Sequence, residues 1–159
     1  MMRTLCIRIP LETERGYHAI LPNPSVRLRM PIPHKTGYIG ANSMEMGLGM
    51  AETVEFAGLD APPNKARAEI LVRQAKQLFP SIEHGDPIFW MGHRPSTPDS
   101  VPVIRSFSRY TGLYACFGHG HVGLTGGPAS GLLAAQMIAG EAPAFPAAPY
   151  ILQRGLEAD

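Results

Sequence analysis

Leu113-Tyr114-Ala115-Cys116-Phe117-Gly118-His119-Gly120-His121-Val122-Gly123-Leu124-Thr125 passes from an apolar, strand-like run into a glycine-rich turn. Five glycines fall between Gly118 and Gly127, and Pro128–Ala139 then reads as a helix with Pro128 near its first turn. The spacing Gly118-x-Gly120-x-x-Gly123 fits the dinucleotide fingerprint. There, glycines let backbone amides approach an anion and a helix N-terminus favours negative charge. A true fingerprint also opens a strand–helix–strand unit whose second strand ends in an acidic residue. Here Glu141 stands in Gly140-Glu141-Ala142-Pro143 without a strand pattern, and the rest of the chain is broken by proline. The pattern is therefore read as a strand, a turn and a helix, not as a complete nucleotide-binding domain. A turn that simply needs flexible glycines explains some of these residues but not the two histidines among them.

Upstream, short strands separated by turns predict a hairpin-linked antiparallel sheet. The expected strands are Leu5–Ile9, Tyr17–Leu21, Val26–Ile32, Tyr38–Ala41, Gly47–Phe56, Asp86–His93, Val101–Ile104 and Leu113–Phe117. Glu14-Arg15-Gly16, His34–Gly37 and Asn42–Met46 are the expected turns, and Arg94–Asp99 a rigid polar loop. In Val26–Ile32, Val26, Leu28 and Met30 alternate with Arg27 and Arg29, which gives one wet face. Asn64 stands as an N-cap for a helix over Lys65–Phe79, stopped by Pro80. Its Ile70, Leu71, Ala75 and Leu78 form the core face, while Arg67, Arg73, Lys76 and Gln77 are solvated. Together these elements predict an α+β fold: an antiparallel or mixed sheet with one packed helix, followed by a strand–turn–helix.

A chain of 159 residues with 45% apolar content can bury a real core. A net charge of +1, with scattered basic residues, lacks the electrostatic footprint of a nucleic-acid binder. Met1-Met2-Arg3 and the charges from Arg8 to Arg15 leave no apolar signal segment, and no run is long enough to span a bilayer. The cytoplasm is the expected location. Cys6 and Cys116 form no CxxC pair and read as reduced thiols, Cys116 as a small core residue. His119 and His121, with His93 and Asp99, can be drawn as a metal cluster, but flanking glycines place the pair on a turn and no third ligand has a recognisable spacing. No metal is expected. Ser96 and Ser130 lack nucleophile-elbow surroundings.

More specific is Trp90-Met91-Gly92-His93-Arg94-Pro95-Ser96-Thr97-Pro98-Asp99-Ser100-Val101-Pro102-Val103-Ile104. It resembles the substrate-arginine segment of FAD-dependent oxidoreductases of the D-amino-acid oxidase/dehydrogenase (DAO) family. Leu113–Thr125 is similar to the closing flavin turn of that family, and Glu14–His18 and Ala51–Phe56 to two strands of its substrate domain. These segments fall in the family's order over nearly all of residues 10–141. The resemblance implies oxidation of D-amino acids or related amines by hydride transfer to FAD. It implies that Arg94 grips the substrate carboxylate with its two parallel donors and that His121 also borders the substrate. Gly92, Gly118, His119, Gly120, His121, Val122, Gly123, Leu124 and Thr125 would face the flavin. Because the cofactor carries the chemistry, no catalytic side chain is assigned.

On this reading residues 1–107 are the substrate-binding sheet with its helix. Residues 108–141 are the strand–turn–helix of an FAD-binding domain, and 142–159 a Pro/Ala-rich tail lying over a surface. The family's ADP-binding βαβ unit has no counterpart here, so tight FAD binding is expected to need a separate N-terminal polypeptide or an oligomer. Three positions depart from the family pattern: Arg105 and Glu52 stand where glycine is usual, and Lys65 where tryptophan is frequent. Arg105 is expected to strain a turn. These departures favour an alternative, a non-catalytic remnant or interaction domain without flavin, whereas the intact Arg94 loop and Gly118–Thr125 turn favour the oxidoreductase half.

Overall fold

The computed structural model describes residues 9–34 and 39–151, the Glu52 side chain excepted. The expected strand Leu5–Ile9, apart from Ile9, and the expected turn at 35–37 lie outside these residues, as do Cys6 and Tyr38. The fold is α+β, as the patterning predicts. The chain divides into two compact units, Glu14–His93 and residues 1–13 with 94–159.

The unit Glu14–His93 is built on a five-stranded sheet in the order β2-β3-β4-β1-β5. Its strands are β1 (Glu12–Leu21), β2 (Ile32–His34), β3 (Ile39–Met44), β4 (Gly47–Glu55) and β5 (Ile88–Ser96), and α1 (Lys65–Leu78) packs against them. Strand alternation sends Tyr17, Ala19, Leu21, Ile39, Ala41, Leu48 and Met50 into one core with Ala68, Leu71 and Ala75 of α1. Full burial of a leucine such as Leu48 or Leu71 is worth about 1.5–3 kcal/mol. β1 pairs antiparallel with β4, and the register slips between Tyr17 and His18, where Glu52 is the extra residue of a bulge.

Several local expectations are corrected. Glu14-Arg15-Gly16 is strand, not turn, because Arg15 and Gly16 pair with Glu55 and Val54. Arg15 is fully buried; its NH2 donates to Pro62 O at 2.8 Å, and NH1 lies 3.7 Å from Glu55. Asn42–Met44 belong to β3, so the hairpin turn shrinks to Glu45-Met46. Val26–Met30 keeps its alternation, with Val26 and Leu28 on the core, but does not enter the sheet. Pro22, Pro24 and Pro31 around it donate no amide, and Leu28 N is bonded instead to Ser43 Oγ at 2.7 Å. Asn64 occupies the N-cap without a side-chain cap bond; its amide group reaches Glu55 at 3.4 Å. Arg67 is not simply solvated, because its Nε donates to Glu55 at 3.2 Å and its NH1 to Val54 O at 3.0 Å.

In the other unit β6 (Val103–Ser106) and β7 (Tyr114–Phe117) form an antiparallel pair. Val103, Phe107 and Ala115 are its buried apolar cluster, joined by Ile9, Tyr110, Leu113 and Phe117. Cys116 points away from Ala115 and is exposed, so it is not a core residue. Arg105 strains no turn: it sits in regular strand opposite Ala115, its guanidinium 5.0 Å from the Phe107 ring. α2 spans Gly123–Ala139, five residues earlier than Pro128 suggested, after a 3-10 turn at Gly120–Val122. Pro128 thus lies inside the helix, where its missing N–H leaves the Leu124 carbonyl to other partners. Left-handed Gly140 ends α2 by donating to Gln136 O and Met137 O. The following segment returns over the unit, with Ala144 N on Gln136 Oε1 and Ile104 N on Tyr150 O.

Candidate functional site

β5 extends through Ser96, so Arg94, Pro95 and Ser96 are strand and not loop. Arg94 is half-buried. Beyond it the chain turns on its own polar groups: Ser100 N donates to Thr97 O at 3.0 Å, Thr97 Oγ1 to Val101 O at 2.8 Å, and Val101 N to Asp99 Oδ1 at 3.1 Å. Ser100 takes the left-handed φ of 61° that this tight turn demands. Thr97 and Ser96 are buried. Thr97, Asp99 and Ser100 are therefore used to fold the end of the arginine strand.

That end meets the glycine turn. Ser96 and His119 form an antiparallel bridge, two residues past Arg94 and one past Gly118. Gly118 and Gly120 flank His119 with φ of 80° and 48°, so both need glycine. Space forbids a side chain as well: a Cβ on Gly118 would lie 2.7 Å from Thr97 Cγ2, and one on Gly120 2.9 Å from Ser96 Oγ. The glycines let two backbones close on each other. Ser96 Oγ is buried there without a hydrogen-bond partner among the described residues.

After the turn, α2 starts with no side-chain cap and no acidic residue in its first turn. α2 continues directly from the 3-10 turn, and the positive end of its dipole faces no acidic side chain of its own first turn. His119 Nε2 shares a 2.8 Å hydrogen bond with Ser130 Oγ on α2, whereas His121, Val122, Leu124 and Thr125 are exposed. Gly123 is half-buried beside His119. The turn thus splits the histidines: His119 is tied inward and His121 faces outward. Among the described residues no three His, Cys, Asp or Glu side chains stand together as metal ligands. Cys116 is no obvious nucleophile, since desolvation raises its thiol pKa.

In the other unit Gly92 has a packing reason of its own. A Cβ there would fall 2.2 Å from the Trp90 ring, which folds across it. Trp90 also meets His18 edge-on at 6.4 Å, and burial holds the His18 pKa below its ordinary value. Sequence reasoning missed Ser96, Thr97 and Ser130 as parts of the turn. Thr97 has a local signal in Thr-Pro-Asp-Ser, a turn composition. Ser130 has none, because its partner lies eleven residues back.

A glycine turn between a short strand and an uncapped helix, bridged to an arginine-bearing strand, is an arrangement suited to an anionic or electron-rich ring edge. The family is established by comparison: the chain belongs to the FAD dependent oxidoreductase (DAO) family, whose family model matches residues 1–137. It is 42% identical over 146 residues to a D-amino-acid oxidase of Bradyrhizobium diazoefficiens, covering 89% of this chain and 35% of that protein. It is 31% identical over 159 residues to a glycine oxidase of Pseudomonas putida, covering 94% of this chain and 41% of the relative. The chain thus spans little more than a third of the length of such curated relatives. The crystal structure of glycine oxidase from Geobacillus kaustophilus superposes with a TM-score of 0.83 at 22% identity, over 98% of this chain and 42% of that one, which is a likeness of fold. No helix among the described residues is long and apolar enough to cross a membrane.

Proposed function

We propose that this chain supplies the substrate-binding and flavin-edge part of an FAD-dependent oxidoreductase acting on D-amino acids or related amines. In this reading the five-stranded sheet of the unit Glu14–His93 is the substrate-binding part, and the strand–turn–helix within 108–141 helps complete an FAD-binding domain. The single observation that carries the reading is the Ser96–His119 bridge, which brings the strand of Arg94 to the glycine turn ahead of α2.

The residues present fit a flavin edge. The first amides of α2 have no side-chain cap, and no acidic side chain of its first turn competes for them. The positive end of an α-helix stabilises a developing anion in its first turn. When bound, FAD would accept the hydride from the substrate carbon. Gly118–Thr125 would lie along the ring, donating backbone amides. Arg94 would hold the carboxylate through two parallel N–H donors, fixing which face of the substrate is offered. His121, exposed in the middle of the 3-10 turn, would border the substrate. The adenine half of the cofactor would be held by residues outside this sequence, in a partner polypeptide or a joined segment. The alternative of a flavin-free remnant loses one of its supports, because Arg105 is unstrained in β6.

The test is the visible spectrum after incubation with FAD and desalting. It would be recorded for the chain alone and for the chain joined to the nucleotide-binding segment of the Bradyrhizobium relative. The expected result is a colourless chain and a yellow chimera that oxidises D-amino acids. A folded but colourless chimera would overturn the proposal.

A further inference from the structure

His119 is fastened at both ends. Its backbone bridges Ser96, and its ring reaches Ser130 Oγ at 2.8 Å. Ser130 is buried, 7% exposed. Between these points the imidazole lies along α2, over positions that carry no side chain. A Cβ on Gly123 would stand 3.5 Å from His119 Cβ, and one on Gly126 3.9 Å from His119 Cδ2. Positions 123, 126 and 130 are three and seven residues apart, one face of a helix. The ring therefore has a fitted groove ending in a hydrogen-bond partner. Gly118 and Gly120, on either side of His119, give the turn no stiffness of their own.

We propose that His119 is a positioning residue, held through Ser130, that locks the glycine turn to α2 and keeps it in register with the strand of Arg94. The amides facing the flavin and the guanidinium facing the carboxylate then keep one fixed relation. This rests on the reading of the turn as flavin-facing and of Arg94 as the carboxylate ligand.

The experiment uses the full chain at pH 8 and follows amide hydrogen exchange at residues 118–123 by NMR, with the ring nitrogens of His119 observed alongside. In the wild-type chain His119 is expected to hold one tautomer. Ser130→Ala removes the partner, and His119→Phe keeps a ring in the groove without the hydrogen bond. Both should speed exchange in the turn about five- to tenfold, the effect of losing one net hydrogen bond, while α1 exchanges as before. His119→Gln, whose amide can reach Ser130, should restore most of the protection. Unchanged exchange in folded Ser130→Ala and His119→Phe would overturn the proposal. So would equal losses in the Phe and Gln variants, or averaged tautomers in the wild-type ring, a measurement that needs no variant. Added FAD that leaves the turn's resonances unmoved would instead overturn the flavin-facing reading beneath it, whatever the exchange rates.

Discussion

Ser96 and His119 exchange backbone contact as an isolated antiparallel bridge, and Ser96 Oγ lies so near Gly120 that no side chain fits between them. The bridge ties together two segments separated by more than twenty residues, one with the half-buried Arg94 and one with the uncapped start of α2. It depends on left-handed glycines on both sides of His119. Small residues here have a geometric task, and substitutions should show it.

Gly118→Ala places a methyl 2.7 Å from Thr97 Cγ2 at a φ of 80°. A strained left-handed residue costs about 1–3 kcal/mol, so the variant should unfold at clearly lower denaturant concentration. Gly131→Ala is the contrasting change, since nothing lies within 4 Å of the added Cβ and α2 is regular there. It should gain up to about 1 kcal/mol from helix propensity. Chemical denaturation of the two variants checks this, and effects of the same sign would contradict it.

Arg94 is expected to act through geometry as well as charge. In the flavin-loaded chimera, Arg94→Lys should weaken a competing carboxylate about tenfold and Arg94→Ala about a hundredfold, as charge-assisted hydrogen bonds of roughly 1.5–3 kcal/mol are lost. Titration of a carboxylate inhibitor reads this. Equal affinity in all three proteins would remove Arg94 from the site.

Glu55 ties β4 to the start of α1: Tyr17 OH donates to it at 2.6 Å, Asn64 at 3.4 Å and Arg67 at 3.2 Å, with Arg15 nearby. The Tyr17 hydrogen bond is the main reason its pKa falls below the ordinary 4.5, with Asn64, Arg15 and Arg67 adding to it against the opposing effect of burial. A carboxylate with a depressed folded pKa stabilises fully above its unfolded pKa and loses that contribution as the pH falls through the folded one. Thermal melts of the wild type and Glu55→Gln should therefore differ near neutrality and converge in acid. A difference independent of pH would contradict the account.

His18 gives a second handle on the same unit. Burial lowers its pKa from the ordinary 6.5, so the folded state resists its protonation and stability declines as the pH drops through and below that value. Its ring meets Trp90, the only tryptophan of the chain, edge-on. Trp90 fluorescence should titrate with a midpoint below 6.5, and His18→Gln should abolish the step. A midpoint above 6.5 would contradict the burial argument.

Much of this architecture is legible in local sequence. The helix read at Lys65–Phe79 differs from α1 by one residue, because its start and stop signals, Asn64 and Pro80, are short-range. The strand leading into Gly118 is equally plain, with apolar residues ending at a glycine. What failed depends on distant partners. Arg15 looks like a turn residue until Glu55 and Pro62 are seen to receive it. Val26–Met30 has strand alternation, but prolines deny it a ladder. Pro128 suggested a helix start, while α2 had begun at Gly123 on the glycine turn. At the site, Arg94 and Gly118–Thr125 stand out by motif. The Ser96 and Ser130 contacts with His119 are tertiary, and no spacing announces them.

The most direct test of the central claim is an NMR titration of the chain with FAD. Backbone amides of Gly118–Thr125 should shift first and most, with Arg94 and its strand following when a carboxylate substrate is added. Shifts confined to other residues, or no shift at millimolar FAD, would contradict the assignment of this turn to the flavin.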